Sequence, residues 1–111
     1  MKKIILAFGF ILAVFMTQAQ KIFKTKYDYQ ADIKVYVVDH EYQADLKVYV
    51  VDYDYQAKGN EGKWYFVKYE YQADKKVYFV EHEYQADLKI YFVDHEYQAG
   101  WVNKQKQYLL Y

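Results

Sequence analysis

The chain has 111 residues, 54% hydrophobic and 23% aromatic, with 15 lysines against 15 acids and no arginine, serine, proline or cysteine. Lack of cysteine excludes disulfide staples and a lipoprotein anchor, and lack of both serine and cysteine removes the commonest covalent nucleophiles. Lysines interleaved with acids do not form the arginine-rich patch that grips phosphate and guanine, which argues against nucleic acid as a partner.

Met1-Lys2-Lys3 opens the sequence, the apolar run Ile4 to Met16 follows, and Thr17-Gln18-Ala19 offers a small residue before a cleavage point. A basic start, a short apolar stretch and a small-residue exit describe a secretory signal peptide. The run is too short for a membrane span, which takes roughly 20 residues. The expectation is a signal peptide over 1–19, cleaved after Ala19, and one β-repeat domain over 20–111. Such a product is periplasmic or secreted, with no membrane span. Without Lys2 and Lys3 it carries 13 lysines against 15 acids, a net charge of −2.

Repetition dominates residues 20–111. Tyr-Gln-Ala recurs six times, starting at Tyr29, Tyr42, Tyr55, Tyr71, Tyr84 and Tyr97, with spacings of 13, 13, 16, 13 and 13. A longer period of 42 residues relates Tyr29 to Tyr71, Tyr42 to Tyr84 and Tyr55 to Tyr97. The domain is thus two 42-residue circuits of three units each, with a closing segment ending at Tyr111.

Each unit holds a strand. Lys34-Val-Tyr-Val-Val and Lys47-Val-Tyr-Val-Val are rich in β-branched and aromatic residues between polar clusters. Four consecutive apolar residues imply cover on both faces at the strand centre. Beyond it, alternation puts Asp39 and Glu41 on one side and His40 and Tyr42 on the other. Asp32, Asp45, Asp74 and Asp87 are placed to bend the chain by accepting local backbone hydrogen bonds in Asx turns. Glycine occurs where the third unit of a circuit departs from consensus: Gly59 and Gly62 in an expected exposed crossing, Lys58 to Gly62, and Gly100 at the equivalent end. The periodicity alone allows a small barrel, a sandwich or a solenoid. Units grouped three plus three favour a closed object, because a solenoid stacks open-endedly and needs distinct caps.

Serial Gln-Ala-Asp-x-Lys-Val-Tyr-x-Val units closing in Gln98-Ala99-Gly100-Trp101 resemble a small bacterial β-repeat family of unknown function with a seven-crossing knotted fold, the septknot proteins. The resemblance runs from Lys21 to Tyr111. It implies a compact, all-β, monomeric closed ring or barrel-like arrangement of short strands, deeply knotted, whose backbone winds twice about one axis. It transfers no catalytic or binding residues.

Three constellations could carry chemistry. His40, His82 and His95, each flanked by acids, are of a type that suits zinc. The slot they occupy holds Tyr53 and Tyr69 in other units, so an aromatic ring satisfies it and no cofactor is required. Trp64 and Trp101, in the two divergent regions, could present stacking faces to sugar rings; the competing reading is cross-strand packing. Asp28, Glu41, Asp54, Glu70, Glu83 and Glu96 precede the Tyr-Gln-Ala units and could pair as glycosidase carboxylates. Six equivalent acids instead suggest a solvated ring balanced by Lys34, Lys47, Lys76 and Lys89, since a catalytic pair needs unlike environments. The expectation is a stable, non-enzymatic, structural or macromolecule-binding module, with a carbohydrate-binding module as the alternative and a metal-binding protein third.

Overall fold

The computed structural model describes residues 19–111, so the expected leader lies outside the described residues apart from Ala19. Seven strands alternate with short 3-10 turns: β1 (Lys21–Lys24), β2 (Ile33–Val37), β3 (Leu46–Val50), β4 (Lys63–Phe66), β5 (Lys75–Phe79), β6 (Leu88–Phe92) and β7 (Gly100–Trp101). A 3-10 helix, Lys104–Leu110, ends the chain. The molecule is all-β and closed. Its sheet runs β4-β1-β5-β2-β6-β3, and a further β3–β4 pairing shuts the ring into a six-stranded parallel barrel.

Strands of the two circuits alternate around that ring. Each unit of the first circuit moves the chain two slots on, from β1 past β5 to β2, then past β6 to β3. A third such step would return the chain to β1. The 16-residue unit steps instead to the adjacent slot, β4, and the second circuit then fills the gaps left by the first.

Parallel neighbours ordinarily need a long crossover to bring the chain back to its starting level. Register removes that need here. Lys24 at the end of β1 pairs with Val77 of β5, which pairs with Ile33 at the start of β2. Val37 at the end of β2 likewise lies level with Leu46 at the start of β3, through Ile90 of β6. Each strand therefore begins level with the end of its predecessor. The connection has only to step sideways across one intervening strand, about 10 Å at ordinary strand spacing. The stagger that permits this also tilts the strands, as barrel closure demands.

Inward side chains fill the barrel: Ile22, Ile33, Val35, Leu46, Val48, Trp64, Val77, Leu88 and Ile90 are buried and pack as one cluster, joined by Leu110 of the terminal helix. That helix is tied to the start of the domain, where the buried Gln20 donates from Nε2 to the Leu110 carbonyl at 3.0 Å. Outward positions carry lysine and then an aromatic residue, half-buried beneath the connections.

The link between circuits is less exposed than its composition suggests. Lys58 and Glu61 face solvent, but Asn60 and Gly62 are buried. Asn60 donates from Nδ2 to the Gln107 carbonyl at 2.9 Å, and its own carbonyl accepts from Trp101 Nε1 at 2.8 Å and from Gln107 Nε2 at 3.0 Å. The link is a partly buried seam that holds the terminal helix through Asn60. Gly100 pairs with Lys47 where β7 runs antiparallel beside β3.

Candidate binding surface

Six corners, the 3-10 turns centred on Tyr29, Tyr42, Tyr55, Tyr71, Tyr84 and Tyr97, project from the outside of the barrel. Five lie against an intervening strand: β5 beneath the Tyr29 corner, β6 beneath Tyr42, β1 beneath Tyr71, β2 beneath Tyr84 and β3 beneath Tyr97, while the Tyr55 corner lies against β4, the strand that follows it. The corner is closed locally by glutamine. At His40, Tyr53, Tyr69, His82 and His95 the backbone N–H donates to Oε1 of the glutamine three residues on, at 3.0–3.3 Å.

The repeated aspartates act differently from the Asx turns expected of them. Asp32 Oδ2 accepts the N–H of Lys76 at 2.8 Å, Asp45 that of Lys89 at 2.9 Å, Asp74 that of Lys21 at 3.0 Å and Asp87 that of Lys34 at 2.9 Å. In return, each aspartate N–H donates to a carbonyl of the same crossed strand, as Asp45 N–H does to Lys89 O at 2.8 Å. The bonds run between circuits. They fasten four connections to the strands that these pass over.

On these corners the aromatic residues form six stacked pairs: Tyr27–Tyr29, His40–Tyr42, Tyr53–Tyr55, Tyr69–Tyr71, His82–Tyr84 and His95–Tyr97. Ring centroids are 5.5–5.8 Å apart and interplanar angles 6–14°. The second ring of each pair is 64–84% exposed. An exposed ring held flat by a partner is a preorganised stacking surface.

A ring of charge runs alongside. Every corner acid faces the lysine of the strand two slots further round. Glu41 meets Lys47 at 3.2 Å, Glu70 meets Lys76 at 3.3 Å, Glu83 meets Lys89 at 3.4 Å and Glu96 meets Lys63 at 2.9 Å. Lys34, expected in this balance, does not join it: among the described residues it has no ion pair, and neither does Lys21. Both face aspartate, whose side chain is one methylene shorter. Asp28 and Lys34 line one open cleft of about 600 Å³, with Tyr78, His82 and Tyr84. Asp54 and Lys21 line a second, of about 580 Å³, with Tyr65, Tyr69 and Tyr71. The two are the same position of the repeat: Lys34 pairs with Tyr78 across β2–β5, and Lys21 with Tyr65 across β1–β4.

The tryptophans do not form a platform. Trp64 is fully buried in the core and its indole N–H has no partner among the described residues. The 42-residue period contains this answer, since it places Trp64 on Ile22, an inward position. Trp101 is half-buried, with its indole N–H engaged by Asn60. The exposed aromatic surface belongs instead to the tyrosines of Tyr-Gln-Ala. Their signal is persistence: every unit keeps that tyrosine, while the residue two before it varies between tyrosine and histidine.

His40, His82 and His95 sit on separate corners, each stacked on its own tyrosine. Among the described residues no group of three or more histidines and acids is placed to hold a metal ion. Nor, among them, is any helix long and apolar enough to cross a membrane.

No curated protein matches the sequence. A family model does: residues 19–102 match the 7(1) septoil knot domain, whose knotted β-repeat fold agrees with the interleaved, twice-wound ring of this molecule, and the chain belongs to that family.

Proposed function

We propose that this protein is a non-enzymatic binding module, exported to the periplasm or beyond and acting as a monomer, that displays stacked aromatic pairs to a macromolecule. The six near-parallel pairs with exposed outer rings carry this reading. Rings left 64–84% exposed add little to the core, yet all six units retain them. A barrel with four of its connections clamped to crossed strands gives those rings fixed mutual positions, which lowers the ordering cost of binding. The export signature read in residues 1–19 favours envelope or extracellular material as what such a surface meets. The corner acids suit support better than catalysis, because four of six are committed to equivalent ion pairs.

Co-sedimentation of residues 20–111 with a purified bacterial envelope fraction tests the reading. The expected result is retention of the native domain, and its release on substituting Tyr71, Tyr84 and Tyr97 together by alanine, with the thermal midpoint little changed. Equal retention of the two proteins, or retention of neither, would contradict it.

A further inference from the structure

The six corners share the acid-Tyr-Gln-Ala pattern but differ in the length of the acid. Glutamate stands at 41, 70, 83 and 96, and aspartate at 28 and 54. Every glutamate reaches its lysine, and neither aspartate does. The clefts of Asp28 and Asp54 each lie between an aspartate corner, which gives the acid, and a glutamate corner, which gives the stacked rings. The missing methylene leaves an ammonium and a carboxylate facing each other across open space, each with hydrogen-bonding capacity unspent.

From this geometry we propose that the clefts at Asp28–Lys34 and Asp54–Lys21 are paired subsites for a neutral glycan chain, and that the glutamate corners are the closed form of the same site. The inference rests on the binding-module reading and names its ligand class. Each cleft offers a flat exposed ring along one side, Tyr84 in the first and Tyr71 in the second, stacked on His82 and Tyr69. Lysine donates, aspartate accepts, and the glutamine next to the tyrosine, Gln85 or Gln72, can do both. A sugar ring asks for this combination: an apolar face of C–H groups to lie on an aromatic plane, and hydroxyls at its edge for donors and acceptors.

Charge points to a neutral ligand. The first cleft adds Glu81 to its Asp28 and Lys34, giving two acids to one lysine. The second adds Lys68 to Asp54 and Lys21, giving two lysines to one acid. An ionic ligand favoured by one cleft is opposed by the other. Hydroxyl groups suit both. The clefts are separated around the ring by the β1–β5 position, where Lys76 is closed off by Glu70. Two subsites on one rigid scaffold suit a polymer, which gains avidity from occupying both.

The test uses substitutions that the protein already tolerates elsewhere. Asp28→Glu and Asp54→Glu together install the residue of the other four corners, so the fold is expected to survive intact. Backbone amide and tyrosine-ring NMR shifts of residues 20–111 are followed during titration with cellohexaose and with chitohexaose. The expected result is a response to at least one of these sugars, confined to Lys34, Tyr78 and Tyr84 and to Lys21, Tyr65 and Tyr71. The double variant, with unchanged shifts elsewhere, should bind that sugar about tenfold more weakly or worse. The reverse change, Glu83→Asp, should add a third responsive position at Lys89. No response to either sugar, a response spread equally over all six corners, or equal binding by the double variant would overturn the proposal. Envelope retention that depends on the tyrosines while both sugars leave the clefts unmoved would remove the glycan subsites and leave the binding module standing.

Discussion

At Gly62 a hydrogen atom in place of a methyl group decides whether the two circuits can meet. Its φ is +87°, and a Cβ there would lie 2.4 Å from the Lys47 carbonyl oxygen and 3.2 Å from the Gly100 nitrogen. Those neighbours are backbone atoms of β3 and β7, which cannot swing aside as a side chain end would. Gly59 has a similar φ, +72°, but nothing within 4 Å of the position a Cβ would take. The pair separates conformational strain from steric exclusion. Gly59→Ala is expected to cost about 1 kcal/mol, the penalty of a left-handed residue with a side chain. Gly62→Ala is expected to cost about 3 kcal/mol or more, since strain and a backbone clash add. Chemical denaturation of the two variants checks this, and equal losses would contradict the close approach at Gly62.

The corner is a turn built from two unlike fastenings, and only one of them is readable along the chain. Gln85 Oε1 accepts from His82 N–H at 3.3 Å within its own turn. Asp87 Oδ2 accepts from Lys34 N–H at 2.9 Å, across the boundary between circuits. Local reasoning meets a short acid in a bend and assigns it to the bend, because an Asx turn satisfies the same carboxylate with neighbours of known position. Only the interleaving brings Lys34 within its reach. Asp87→Ala should therefore cost about 1.5–3 kcal/mol, as for a lost hydrogen bond to a charged group, and Gln85→Ala about 0.5–1.5 kcal/mol. The order of the two thermal midpoints is the check; a Gln85 variant as damaged as the Asp87 variant would place the corner's stability within the turn. The candidate site is half legible for the same reason. Repetition marks the tyrosines and the acids, but the difference between Asp28 and Glu83 has no meaning until each faces its lysine. Of the two readings open for Trp64, packing is the one its inward register with Ile22 supports, a register obscured by its place in a divergent region.

For the whole molecule, closure and winding are visible as two 42-residue circuits, while the order of strands is not. Near-identical units such as those at Tyr42 and Tyr84 could stack one above the other or interleave, and their side chains suit either arrangement. What decides is the 16-residue unit, which shortens one step from two slots to one. That shift gives every barrel strand neighbours from the other circuit and carries each two-slot connection outside a strand of the other circuit. Knots are rare because the chain must be threaded through its own loops; here the threading results from the alternation of circuits. The most direct test is therefore which strands touch. Inter-strand NOEs between backbone protons of residues 20–111 should show two sets of parallel contacts. One joins β2 to β5 at Ile33–Val77 and β3 to β6 at Leu46–Ile90. The other joins β1 to β5 at Ile22–Lys75 and β2 to β6 at Val35–Leu88. A plain stack of two coils would give the first set and lack the second. Finding both establishes the interleaved ring; finding the first alone would contradict it, and with it the alignment of each corner acid on its lysine.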